Sequence, residues 1–399
     1  MKLLIHDLST EEWSKVADKY EGWEVISDNG TIKPCTGCFA CWVKEPGVCA
    51  IKDGYERMGA LIHEADEVLV ISKYTYGGFS SFVKNVFDRS IAYILPYLTI
   101  SHGEMHHRRR YHESKKFSFI FRGNNLTDAE KEAARTYVIA FCKNFYATIK
   151  GISFEEMEKD NVAVGTEKAE ENSGKVVLLN CSMRGDNSNS RNLLRRLDKS
   201  IEGETETVNL VSYIGKYDEL VELLSSCQKI ILGMPLYADG APSSVLRLME
   251  KMEKMEKQSG AIKKQIYVVA NMGFYESRQI KNLLGMVKAW SEKCGYEYCG
   301  GVAVGAGEML GKMIKIPDAS KTYARDVALA LEKLGGAISA SEGVADIFAD
   351  AYKFSRFLYL VYGNHGWTKT AKRNGLSKRE VLMEGDYGEW RNRIGKSYI

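Results

Sequence analysis

Short apolar runs alternate with amphipathic stretches along most of this chain, and the alternation occurs twice. In the first half, residues 2–6, 22–26, 67–72 and 116–121 are apolar runs of strand length, while 10–20, 54–65, 80–94 and 127–147 carry apolar positions at helical spacing. Ser9 or Thr10 supplies an N-cap for the first helix. In the second half the strands fit 175–181, 205–210, 228–234, 264–270 and 298–304, and the helices 189–200, 217–226, 243–257, 276–293 and 320–334. Strands alternating with helices predict an α/β fold with a parallel, doubly wound sheet in each half. Residues 27–52 form a long irregular insertion, and the polar, charged stretch 155–174 reads as an inter-domain linker. The expected organisation is therefore a domain at 1–155, a second at 174–340, and a C-terminal extension at 341–399. That extension reads as helical at first, then as a loose tail with Trp367, Tyr387 and Trp390. A length of 399 residues suits two domains, each with its own core.

Each half also has a strand that ends in a Tyr-containing loop opening a helix. The first loop is Tyr74-Thr75-Tyr76-Gly77-Gly78-Phe79-Ser80 and the second Pro235-Leu236-Tyr237-Ala238-Asp239-Gly240-Ala241-Pro242. Only the second half precedes it with a phosphate-type loop between strand and helix, Asn180 to Arg191, containing Ser182, Arg184, Asn187, Ser188, Asn189 and Ser190. At such a helix N-terminus, backbone N–H groups and the helix dipole favour an anion, and Arg184 can add a charge-assisted bond. Plain helix capping by the same Ser and Asn residues is the alternative, and the aromatic loop later in the domain tips the balance toward a ligand. In an open α/β sheet the ligand lies outside the carboxyl ends of the strands at the switch point. Pro235, Leu236 and Tyr237 can then wall the ring of a flavin mononucleotide (FMN), with Asn271, Met272, Gly273 and Phe274 as a further wall. The flavin would carry the electron chemistry itself, so no protein nucleophile is expected. In the first half Glu11 and Glu12 occupy the place of the phosphate loop and would repel an anion. There the Tyr76–Gly77 loop is either a relic or a cover for the flavin of the second domain.

Composition changes this picture in three places. Of nine cysteines, Cys35, Cys38, Cys41 and Cys49 crowd together at C-x2-C-x2-C-x7-C spacing. Four thiolates in such a run suit a [4Fe–4S] cluster, although the last gap exceeds that of the bacterial ferredoxin run, and structural zinc favours two separated knuckles. A loop of free or redox-active thiols remains the alternative. His102, His106, His107, Arg108, Arg109, Arg110 and His112 put four of the seven histidines in one segment. This segment could clamp a nicotinamide nucleotide or donate protons, but for most of its residues a solvated, mobile loop is expected. Finally, Lys+Arg 55 against Asp+Glu 52 gives a net charge of +3, too balanced for nucleic acid as the main partner. No run approaches the ~18 apolar residues of a membrane span, and Met1 to Asp7 reaches charge too soon for a signal peptide, so a cytoplasmic chain is expected.

Together these residues resemble the flavodoxin-like NADPH-dependent FMN reductase family and, within it, the iron–sulfur flavoproteins. The resemblance rests on Ser182-Met183-Arg184 through Asn189-Ser190 as phosphate loop and Pro235-Leu236-Tyr237 as ring loop. In the first domain it rests on the cysteine insertion and Tyr76-Gly77-Gly78-Phe79-Ser80 through Lys84 to Asp88-Arg89. It covers about residues 1–340 and leaves the C-terminal extension outside. It implies two flavodoxin-like domains in tandem and FMN in the second. NAD(P)H or a ferredoxin-like carrier would be the electron donor, and a small molecule the acceptor. The competing class is a non-catalytic electron carrier or redox-sensing module. Members of this fold often associate, so a homo-oligomer is possible, but an internal tandem can replace one such interface.

Overall fold

The computed structural model describes residues 1–157, 174–259 and 263–383. Most of the expected linker, together with Tyr387 and Trp390, lies outside these residues. The first domain contains β1 (Lys2–His6), α1 (Thr10–Ser14), β2 (Glu24–Ile26), α2 (Ala40–Val43), α3 (Met58–Glu64), β3 (Glu67–Lys73) and α4 (Ser81–Arg89). It continues with β4 (Ile94–Ser101), β5 (Glu104–Arg109), β6 (Lys116–Arg122), α5 (Asp128–Asn144) and β7 (Thr148–Glu155). Its parallel sheet has the order β2-β1-β3-β6-β7, which is the flavodoxin-like 2-1-3-4-5 order once the β4–β5 hairpin is set aside. Two expectations change here. Residues 148–155 form a fifth strand, so Glu155 ends an element and does not open a linker. The basic segment forms half of an antiparallel hairpin in place of a mobile loop. Met105 packs into the core from this hairpin, and His106 and Arg110 are buried, while His102, Arg108, Arg109 and His112 are exposed as expected.

The second domain contains β8 (Val176–Asn180), α6 (Asn189–Asp198), β9 (Thr205–Asn209), α7 (Tyr217–Ser225), β10 (Lys229–Pro235), α8 (Ser243–Ser259), β11 (Gln265–Asn271) and α9 (Lys281–Lys293). It continues with β12 (Glu297–Val304), α10 (Gly307–Met313), α11 (Arg325–Ala340), β13 (Ile347–Ala349), α12 (Arg356–Arg373) and α13 (Lys378–Leu382). Its sheet, β13-β12-β11-β10-β8-β9, is parallel and repeats the same order with one added edge strand. The extension therefore opens with a strand that completes this sheet, not with a helix. The central strand β10 is buried along nearly its whole length, as expected where helices cover both faces of a sheet. Among the described residues, no helix is long and apolar enough to cross a membrane.

The two domains meet through α4 on α8 and α5 on α9, and matching residues bind across the junction. At the start of α4, Ser81 donates its backbone N–H (3.3 Å) and its hydroxyl (2.7 Å) to the Glu250 carboxylate of α8. At the start of α8, Ser243 donates its N–H to Asp88 of α4 (2.9 Å) and its hydroxyl to Asn85 (3.1 Å). Each helix thus places a carboxylate against the positive N-terminus of the other. Asp88 also pairs with Lys84 one turn before it, and Lys84 Nζ donates to the Tyr237 carbonyl at 2.8 Å. Both side chains are completely buried, and burial holds the Asp88 carboxyl above its ordinary range despite the ammonium beside it. The two Tyr loops turn alike: Thr75 bridges Gly78, and Tyr237 bridges Gly240. A Cβ on either Gly78 or Gly240 would strike Met286, at 2.4 and 2.9 Å. Both glycines therefore let the loops close on one contact point between α5 and α9.

Removing one partner of a buried pair leaves the other charge uncompensated, at a cost of about 3–5 kcal/mol. Asp88→Ala is expected to lose stability of that order in urea denaturation. The combined Lys84→Met and Asp88→Leu chain should lose less than Asp88→Ala alone, because no buried charge is then left without a partner.

Candidate functional site

A cavity of about 160 Å³ lies where the cysteine insertion of the first domain faces the ring loops of the second. Cys35, Cys38, Cys41 and Cys49 all line it, as do Leu236 to Asp239 from the loop after β10 and Met272 to Phe274 from the loop after β11. The sequence expectation placed the ring walls and the cysteines in separate domains, and folding brings them into one chamber. The contact is close. Gly37, between the first two cysteines, has φ +62, and a Cβ there would lie 2.1 Å from Tyr237 Oη. Tyr237 thus reaches into the cysteine insertion itself.

Arg89 of α4 fixes the other end of that insertion. Its Nε donates to Cys49 Sγ at 3.1 Å, and its two terminal nitrogens grip both oxygens of Asp53 at 2.8 and 2.9 Å. The same nitrogens bind the carbonyls of Lys33 and Ile51. A bidentate, fully buried guanidinium of this kind sets geometry as well as charge. Cys41 is buried and Cys35 half-buried, and burial pushes the Cys35 thiol up to about 12 and the Cys41 thiol above its ordinary value. Among the described residues, no group of three or more His, Cys, Asp or Glu side chains is arranged to hold a metal ion. The four thiols border the chamber instead.

Aromatic rings close the chamber. Phe39 stacks on Trp42 at 5.2 Å, and Trp367 of α12 stands edge-on to both, at 5.3 and 5.4 Å. The extension that lay outside the resemblance thus supplies a wall. His107 joins Trp42 (4.6 Å) to Phe274 (5.0 Å), and burial lowers its imidazole to about 4, so it is neutral. Behind it, His106 Nδ1 lies 2.7 Å from Asn144 Oδ1, and Asn144 Nδ2 donates to Asp239 Oδ1 at 2.7 Å. Asp239 Oδ2 is buried with no hydrogen-bond partner among the described residues. Burial raises this carboxyl to about 6, against the Asn144 bond and the charges of Lys84 and Lys143. Asp239 carries no periodic or motif signature of this burial. Its only signal was an acidic residue between Ala238 and Gly240 in a loop otherwise suited to an apolar ring.

The phosphate-type loop adjoins the chamber but does not line it. Ser188 caps α6, accepting from Arg191 N (3.1 Å), and its hydroxyl donates to Asn180 Oδ1 (3.3 Å), so capping is at least one of its roles. Ser182 Oγ accepts from Arg184 N (3.3 Å) and Ser190 Oγ from Asn271 Nδ2 (2.7 Å), which leaves each with an O–H to donate. The N–H groups of Asn189 and Ser190 open α6, where no helical acceptor exists. Arg184 and Asn187 are exposed, Arg184 lies 4.0 Å from Glu308, and its charge reaches Tyr237. Gly311 of α10 packs directly on Asn189. Asn271 joins the two regions, since it holds Ser190 and the Met234 carbonyl while Met272 enters the chamber.

Tyr76 and Gly77 are not among the lining residues. Tyr76 is buried against α8 and α9, donating to Glu253 at 2.5 Å with Lys293 over its ring at 5.8 Å. In the first domain the place of a phosphate loop is taken by a capping box of Ser9 and Glu12, and Glu12 also pairs with Arg122.

No protein-family model matches the chain, and no curated protein does. Similar solved structures include the Trp repressor binding protein from Bacillus subtilis, 20% identical over 32% of this chain and 81% of that one, with a TM-score of 0.25. An azoreductase from Bacillus anthracis str. Sterne is 11% identical over 42% and 99%, with a TM-score of 0.31. An FMN-dependent NADH-azoreductase from Bacillus anthracis str. Ames Ancestor, in complex with FMN, is 12% identical over 42% and 99%, with a TM-score of 0.30. At these scores the likenesses carry no argument, and the functional reading rests on the residues of this chain.

Two expected outcomes follow from the chamber walls. Gly37→Ala combines a left-handed backbone with a clash and should cost about 2 kcal/mol or more in thermal or urea unfolding. Tyr237→Phe in the same chain, by removing the struck oxygen, should recover part of that loss. Asp239 binds its proton more tightly when folded, from 3.8 up to about 6, so its contribution to stability is full below pH 3.8 and is lost as pH rises through 6. Asp239→Asn should therefore become more stable than the parent by about 3 kcal/mol across that window, read as the difference between their urea midpoints against pH.

Proposed function

We propose that the chain is an FMN-dependent oxidoreductase that passes electrons from NAD(P)H or a reduced carrier to a small acceptor, with FMN in the second domain. The observation that carries this reading is the shared chamber, in which the loops after β10 and β11 face the cysteine insertion across one cavity. The donor set fits the cofactor. Met272, Gly273 and Phe274 on one side and Leu236 to Asp239 on the other would hold the ring. Ser182, Ser190 and the first N–H groups of α6 would hold the phosphate, with Arg184 as its nearby cation. FMN, when bound, supplies hydride and single-electron transfer. The protein's own part is to orient the ring, to exclude water with Trp42, Trp367 and Phe39, and to keep His107 neutral beside it.

Cys35, Cys38, Cys41 and Cys49 are proposed as the ligands of a [4Fe–4S] cluster. The support for this reading is the C-x2-C-x2-C-x7-C spacing and the presence of all four residues in the lining of one cavity. The Arg89 N–H on Cys49 Sγ is the kind of contact that tunes such a cluster. The raised thiols of Cys35 and Cys41 mean that they ionise when a metal compensates their charge.

FMN titrations of three variants test the site. Arg184→Ala and Ser190→Ala should each raise the FMN dissociation constant about tenfold or more, the loss of one charge-assisted or hydroxyl bond, whereas Glu11→Ala should leave it unchanged. Equal effects of all three would contradict the assignment of the phosphate to the second domain.

A further inference from the structure

Helix α12 presents two different faces. Tyr359, Gly363, Trp367 and Ala371, spaced by four, turn inward. Tyr359 donates its hydroxyl to the Gly273 carbonyl at 2.7 Å, a Cβ on Gly363 would strike Leu98 at 2.9 Å, and Trp367 walls the chamber. Asn364 binds both the N–H and the carbonyl of Leu98, at 2.6 and 3.1 Å, so the helix is fixed on β4. The outer face is open to solvent and is divided along its length. Its first two turns expose Phe357 (66%), Leu358 (43%), Val361 (44%) and Tyr362 (64%). Its last two turns expose Lys369, Lys372 and Arg373. Ile100, exposed on β4 two residues beyond Leu98, lies toward the apolar end, since the hairpin tip at Gly103 binds Arg356 at the helix start. Helix α12 contains no acidic residue, and among the described residues none of Lys369, Lys372 and Arg373 pairs with a carboxylate. Large apolar side chains exposed in one cluster mark an interaction site, where single ones would not.

We propose that the outer face of α12 docks another protein, through a partner helix whose N-terminal half is acidic and whose C-terminal half is apolar, laid antiparallel to α12. Charge complementarity selects this occupant. Antiparallel packing sets the partner's acidic start against Lys369, Lys372 and Arg373, and its apolar end against Phe357, Val361 and Tyr362. Both helix dipoles favour the arrangement, because carboxylates then sit at a helix start and cations at a helix end. Aromatic anchors beside a charged rim are also the common anatomy of a protein interface. A second copy of this chain laid along α12 fits worse: antiparallel it opposes apolar and basic halves, and parallel it stacks like charges. A lipid surface fits worse too, since an interfacial helix keeps its apolar face along its whole length. Docking there needs no cofactor, yet it adjoins the chamber, because Trp367 stands on the other side of the same helix, about 10 Å through.

The test uses the full chain and a fluorescein-labelled synthetic helix as long as α12. The peptide carries glutamates on one face of its N-terminal half and leucines on the same face of its C-terminal half, and binding is followed by fluorescence anisotropy. The parent should bind it, and Phe357→Ser with Tyr362→Ser should weaken binding about tenfold or more. Lys369→Glu with Lys372→Glu should weaken it by about tenfold or more as well, through like-charge repulsion. All four positions are exposed, so the urea midpoints of both variants should stay near the parent's. A peptide with lysine in place of glutamate should not bind, and one with its two halves exchanged should bind more weakly. Absence of binding, or binding that either pair of substitutions leaves unchanged, overturns the proposal. Equal affinity for the exchanged peptide overturns the antiparallel seat. A dimer in light scattering that Phe357→Ser with Tyr362→Ser dissolves would overturn it in favour of a second copy. Co-sedimentation of the parent, but not of that variant, with phosphatidylglycerol vesicles would overturn it in favour of a lipid surface.

Discussion

The exchange of carboxylates between α4 and α8 is the constraint on which the rest of the molecule depends. Glu250 receives the start of α4 and Asp88 receives the start of α8, so each helix end takes a carboxylate from the other domain, in α4 beside its own cap Ser80. The bonds reach across the junction, and the buried Lys84–Asp88 pair sits at its centre. A buried pair contributes little net stability over an apolar pair, but it penalises any arrangement that separates its members from their partners. Here it fixes where the second domain sits, because Lys84 also holds the Tyr237 carbonyl. That bond, with those from Tyr137 to the Ala238 carbonyl and from Asn144 to Asp239, seats the ring loop against the first domain.

From that placement the chamber follows. Arg89, the residue after Asp88, holds Cys49 and Asp53, so one helix positions both the domain junction and the cysteine insertion. Tyr237 fills the space above Gly37, and the hairpin β4–β5 brings His106 and His107 behind the loops of the second domain. The two domains repeat one fold, yet the junction gives their equivalent loops different fates. Tyr76 is spent on Glu253 in a packed interface, while Asp239 keeps one buried oxygen with no hydrogen-bond partner among the described residues. The repeated fold thus presents two unequal loops at one junction.

Much of this was legible in the residues. The long buried strands β3 and β10 announced themselves by period, and the first helix by its cap at Ser9. The repeated Tyr loops correctly implied a repeated sheet. The elements that escaped share a cause. In β7 the apolar positions Ile149, Ile152 and Phe154 lose strict alternation at a register shift beside Gly151, so a half-exposed edge strand reads as a coil. The hairpin β4–β5 hides its burial behind histidines and arginines, which composition assigns to solvent. Tertiary burial of a polar group leaves no periodic trace, which is also why Asp239 and the contact of Trp367 with Trp42 could be recognised only in three dimensions. The phosphate loop was visible as a motif, but not that Ser188 would be committed to capping while Ser182 and Ser190 keep donors.

The central proposal is that one chamber between the domains takes a flavin beside the four cysteines of the insertion. The most direct measurement is an anaerobic absorption spectrum of the full chain after incubation with FMN, iron and sulfide, with flavin and iron assayed on the same desalted sample. The account predicts one flavin and about four irons per chain, with flavin bands overlying broad cluster absorbance. A chain that retains no flavin after exposure to excess FMN would contradict it.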